Sequence, residues 1–145
     1  MRRIRLIGAI LATILAFSFL TTLSTASAAT AVNPTTDFVA FGFNGLSANG
    51  EVEGTITWFN RTANITGDVF IGEFATTTTA VFEAFAGSTK IESQTRTVNL
   101  TTFPNGDRHF NFLIGDTNLV GGINRVKVTI SNEGLNGDSV NVDKP

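Results

Sequence analysis

The chain has 145 residues, no cysteine, no tyrosine, one histidine and thirteen phenylalanines, with a formal net charge of −2. That length predicts one domain, and one histidine without cysteine cannot assemble the usual zinc site. An acidic chain with scattered basic residues also has no electrostatic footprint for DNA or RNA, which excludes nucleic acid as the primary partner.

The first residues read as a secretory signal. Arg2, Arg3 and Arg5 make a positive start, and residues 6–20 are apolar apart from Gly8, Thr13 and Ser18. A polar stretch, 21–25, then leads to Ala26-Ser27-Ala28, with small residues where a peptidase pocket requires them. Cleavage is expected after Ala28, with Ala29 as the alternative, giving a signal over 1–28 and a single domain over 29–145. The apolar run of about 15 residues is short of the ~20 that span a bilayer, so it reads as a signal and not an anchor. The Arg2-Arg3 pair raises the twin-arginine route but lacks the rest of that signal, which favours the general secretory route. No cysteine is available for lipidation and residues 141–145 are polar, so a released, extracellular protein without membrane attachment is expected. Cleavage removes three of the ten basic residues, leaving seven against twelve acidic ones, a net charge of −5. Small secreted domains often rely on disulfides. A cysteine-free chain of this size can do without them, which fits a bacterial exported protein.

Beyond residue 36 the apolar period is two, the mark of half-buried strands. Residues 38–43 form a plausible edge. In 51–59, Val52, Ile56 and Trp58 share a face opposite Glu51, Glu53, Thr55 and Thr57; in 64–74, Ile65, Val69 and Ile71 align. Residues 78–86 and 90–102 are strand-like, the second long and polar on one face, as an edge or sheet-switching strand would be. Phe110, Phe112 and Ile114 fall together in 108–114, and Val126, Val128 and Ile130 in 124–131; 139–142 is a second plausible edge. Turn signals separate them at Asn49-Gly50, Ala86-Gly87-Ser88, residues 104–107, Gly121-Gly122 and Asn136-Gly137-Asp138. No helical apolar stripe follows the signal. Seven or eight short strands at this spacing predict an all-β antiparallel β-sandwich of immunoglobulin-like type.

Chemistry-bearing residues are sparse. His109 would need a carboxylate such as Asp107 or Asp116 and an opposed serine to act as a base, and no serine carries a nucleophile-elbow pattern. Asp68, Glu73, Glu83 and Glu92 are the candidates for a paired-carboxylate hydrolase, although outward carboxylates also keep strands soluble and unpaired. Asp116, Asn118, Asn136 and Asp138 lie in loops that can offer oxygen ligands, but without the spacing of a calcium loop. No metal and no cofactor is expected. Trp58 follows the core phase. Phe59, Phe70 and Phe74 fall out of phase, so these four aromatics are the candidate binding residues, the last three as an exposed patch. Thr95, Thr97, Asn99 and Thr101 form a polar row on one strand face, and Asn60, Asn64 and Asn99 stand in N-x-T sequons.

Three segments carry a resemblance. They are 58–62 with Gly67 and Val69; 84–91 running into 94–96; and 110–116 followed by 121–126. The chain resembles a group of small exported actinobacterial β proteins that have no assigned activity, which implies a bacterial, extracellular setting and transfers no functional residue. The functional expectation is a secreted, non-enzymatic interaction module that binds a cell-envelope component or another secreted protein. A small hydrolase using a carboxylate pair, or an inhibitor inserting a loop such as 104–107, are the alternatives.

Overall fold

A computed structural model describes residues 32–44 and 47–145; the expected signal and its cleavage site lie outside them. Threonine, valine, isoleucine and phenylalanine, which suit a pleated half-buried surface, build eight strands. These are β1 Thr35–Asn44, β2 Ser47–Trp58, β3 Thr62–Ile71, β4 Thr77–Ala86, β5 Thr89–Asn99, β6 Asp107–Gly115, β7 Arg125–Asn132 and β8 Leu135–Asp143. Every pairing is antiparallel, in two four-stranded sheets of order β1-β2-β3-β6 and β5-β4-β7-β8. No helix occurs among the described residues. The protein is an all-β sandwich.

Alternation places the core between the sheets. From the first sheet come Phe38, Ala40, Val52, Ile56, Trp58, Ala63, Ile65, Val69, Phe110 and Ile114. The second contributes Ala80, Phe82, Ala84, Val98, Val126, Val128, Ile130 and Val142. At the centre of the first sheet Gly54 and Gly67 are paired across β2 and β3, with Phe38 beyond one and Phe110 beyond the other. A Cβ on either glycine would overlap the neighbouring strand's carbonyl oxygen, Thr66 O or Glu53 O. The strands therefore approach closely here, and the Phe38 and Phe110 rings lean over the space that side chains would have filled. Phe82 reaches across from β4 and meets Phe38, Phe110 and Phe112 edge-on at centroid distances of 6.1, 5.1 and 5.1 Å. Such pairs add about 0.5–1.5 kcal/mol each beyond burial.

The two sides of the sandwich close differently. At β1 and β8 the backbones nearly touch, since a Cβ on Gly137 would lie 2.7 Å from Gly42 Cα. At β5 and β6 the inward row of β5 is Glu92, Gln94, Arg96 and Val98, so polar side chains face the seam. The long run expected as an edge or sheet-switching strand is an edge strand, and it is polar on both faces, not one.

Two expected turns are strand. Asn49-Gly50 lies in β2 and Asn136-Gly137-Asp138 in β8. Their glycines serve close packing: Gly50 sits against buried Asn132 and Thr78, and Gly137 against Gly42. The β7–β8 turn is instead Glu133-Gly134, with φ of 50° and 83°, the positive pair of a type I′ hairpin. Glu133 is held in this left-handed conformation by its own carboxylate, whose Oε1 accepts from Thr76 N and Thr76 Oγ1, both at 2.9 Å.

Candidate functional site

The outer face of the first sheet has four cross-strand rows; one, Thr35-Thr57-Asn64-Leu113, is uncharged, and three carry the acids. These three run Asp37-Thr55-Thr66-Asn111, Val39-Glu53-Asp68-His109 and Phe41-Glu51-Phe70-Asp107. Five carboxylates share this face, and its four strands contribute no lysine or arginine to it, since Arg108 points inward. Glu53 and Asp68 stand directly opposite each other, an arrangement that destabilises a sheet. The second sheet does the reverse on its outer face, setting Glu83 against Lys127 and Arg125 against Asp143.

The close approach at Gly54 and Gly67 gives this face a hollow. It measures about 490 Å³ and is lined by Asp37, Glu53, Thr55, Thr66, Asp68 and His109 around the glycine pair and the edge of Phe38. Thr55 Oγ1 donates to Asp37 Oδ1 at 2.7 Å, and His109 Nδ1 lies 3.1 Å from Asp68 Oδ1. A smaller hollow of about 200 Å³ adjoins Phe41, Glu51 and Phe70. The face thus offers carboxylates at its middle and aromatic surface at one end, which suits ammonium or guanidinium groups carried on apolar stems. Among the described residues the hydroxyls at the main hollow are those of Thr55 and Thr66, and no serine lines it beside His109. Among the described residues no group of three or more His, Cys, Asp or Glu is placed to hold a metal ion.

Of the aromatic candidates, Trp58 is 1% exposed and donates Nε1–H to Thr36 Oγ1 at 3.1 Å. It is core. Phe59 is half-buried just past β2, where its N–H bonds Thr62 O. Phe70 is half-buried on the outer face, and Phe74 is exposed in the loop after β3. The stretch of β3 from Thr62 to Phe70, at about 3.3 Å per residue, puts roughly 26 Å between Phe59 and Phe70, so the three phenylalanines form no common patch. Only Phe70 joins the acidic face, beside Phe41, which the sequence reading did not single out. The signal was available: Phe41 follows Val39 at period two, opposite the buried phase of Phe38 and Ala40.

The carboxylate candidates separate as well. Glu83 is on the outer face of the second sheet with Lys90 Nζ at 2.9 Å. Glu92 points inward and accepts from Gly115 N–H and Gln94 Nε2, both at 2.7 Å. The two lie on opposite faces and converge on nothing. Glu73 is exposed in the loop after β3. Asp116 accepts from the N–H of Asn118 at 2.8 Å and so stabilises its own turn, and Asp138, within β8, accepts from the N–H of its neighbour Ser139 at 2.7 Å. No known protein family, curated protein or solved structure matches the chain.

Proposed function

We propose that the protein is a secreted, non-enzymatic binding module that works through the outer face of the first sheet. Its partner presents cationic groups, on another secreted protein or on a cell-envelope component. The observation that carries this reading is charge placement: five carboxylates without a lysine or arginine on one face, two of them directly opposed, around a hollow. A face that gives up stability in this way has a use for the uncompensated charge. Export rests on the arginine-led start, the short apolar run and Ala26-Ser27-Ala28; the bacterial setting rests on the resemblance to small exported actinobacterial β proteins.

The immunoglobulin-like topology belongs to the same proposal. With β1 set aside, the strands order as β2-β3-β6 and β5-β4-β7-β8. That order supports a correspondence with the A-B-E strands of one sheet, without a D strand, and the C′-C-F-G strands of the other. The chain lacks that class's cysteine pair, and its tryptophan ends β2 in place of lying on β4.

The test is a pull-down with purified protein immobilised, offered secreted proteins and solubilised envelope material. Retention of a basic component, lost in Glu53→Gln/Asp68→Asn, is the expected result. Retention that this double variant leaves unchanged would move the binding surface elsewhere. N-terminal sequencing of protein recovered from the medium is expected to begin at Ala29, and an intact Met1 on exported material would remove the signal-peptide reading.

A further inference from the structure

We propose that Arg96 and Arg108 form an oxyanion site at the seam between β5 and β6, taking a phosphate-type group. The register aims both side chains at this seam: Arg96 stands opposite buried Ala80, and Arg108 opposite buried Val69, so each points inward from the edge strand of its own sheet. Each is fixed by one hydrogen bond to a carbonyl of β5, Arg96 Nη1 to Thr95 O and Arg108 Nη1 to Thr97 O, both 2.7 Å. Each guanidinium lies over a phenyl ring, Arg96 4.0 Å from the Phe112 centroid and Arg108 5.5 Å from that of Phe103. Neither has a carboxylate within ion-pair distance among the described residues. Glu92, the acid on the inward row of β5, is committed to Gly115 and Gln94.

Two half-buried cations without a counter-ion repel each other, and the Arg96 guanidinium accordingly holds its proton less tightly than usual, through burial first and then through Arg108. A guanidinium carries five donors, and one of each set is engaged with protein. The remaining donors are positioned by ring stacking and a carbonyl anchor, which is how arginine is pre-organised for oxyanions. A tetrahedral oxyanion presents acceptors in several directions and engages two forks from different strands, whereas a carboxylate fills one fork. This site is separate from the acidic face, which belongs to the outer side of the first sheet.

The experiment follows the arginine Nε–H resonances of ¹⁵N-labelled protein during titration with sodium phosphate, against sodium chloride at equal ionic strength and against sodium acetate. Arg96 and Arg108 are expected to shift together and saturate with phosphate at about 1 mM or tighter, while Arg125 serves as an internal control. Arg108→Gln is expected to weaken binding at least about tenfold, equivalent to 1.4 kcal/mol. Arg96→Lys, which keeps the charge over Phe112, is expected to weaken it without moving the unfolding midpoint. Shifts with phosphate no larger than with chloride, or unchanged affinity in both variants, would overturn the site. Acetate saturating as tightly as phosphate would overturn the phosphate assignment, and a glycerol phosphate polymer as a fourth titrant separates a free anion from a polymer's phosphodiester.

Discussion

Glu53 and Asp68 are where stability and binding pull in opposite directions. Like charges directly opposed across a sheet are destabilising by some 0.2–1 kcal/mol, so Glu53→Gln is expected to raise the unfolding free energy by about that amount in urea titration while weakening partner capture. A variant that lost both would show Glu53 to be structural. Trp58 carries the contrary expectation. It is fully buried, and Trp58→Ala is expected to cost about 3–5 kcal/mol, so any loss of binding in that variant tracks unfolding. Glu133 supplies the pH dependence. The Thr76 N–H and hydroxyl, in that order, hold its carboxyl below the ordinary range. A depressed folded value means its contribution is fully present above the unfolded pKa and disappears as pH falls through the folded one. The difference in thermal midpoint between wild type and Glu133→Gln is therefore expected in full at about pH 7, should shrink once the pH falls below the ordinary glutamate value of about 4.3, and should vanish in stronger acid, below the depressed folded value. A difference that persists in acid would mean the Thr76 contact does not depend on charge.

At the scale of elements, glycine has two different jobs here, and substitution separates them. Gly67 faces Gly54 across β2 and β3, and a Cβ would strike Glu53 O, a backbone atom held by the sheet and unable to swing away. Gly67→Ala is expected to cost at least about 1–3 kcal/mol, as overpacking does, and to disturb the hollow on the other face. Gly87, in the β4–β5 turn, has φ +60° and open space around it, so Gly87→Ala meets only conformational strain, about 1–2 kcal/mol. The same distinction explains what the sequence made legible. All eight strands could be read because period two survives wherever one face is buried, as in Val126, Val128 and Ile130. Asn49-Gly50 and Asn136-Gly137 were misread because local chemistry cannot tell a glycine that turns from one that admits a neighbouring backbone. Glu133 was missed as a turn residue because its left-handed conformation depends on Thr76, 57 positions away. The candidate site was less legible than the fold. The acids were in plain view, but their gathering on one face follows from the pairing of β1, β2, β3 and β6 and its register, which periodicity does not set.

Over the whole molecule, charge is segregated by face, and that predicts opposite responses to salt. The expected mature chain carries −5, and five of its carboxylates share the outer face of the first sheet. Repulsion among exposed charges is screened once the Debye length falls to their spacing, about 10 Å at 0.1 M and 3 Å at 1 M. Added sodium chloride is therefore expected to raise the thermal midpoint of the free protein. Attraction between that face and a cationic partner is screened over the same range, so affinity is expected to fall as stability rises, chiefly through a slower on-rate. Glu53→Gln/Asp68→Asn reduces the charge responsible for both and should flatten both salt profiles together. An affinity that instead held or grew with salt would place the contact on the apolar end of the face, at Phe41 and Phe70. In that case the double variant would keep its partner while Phe41→Ser lost it.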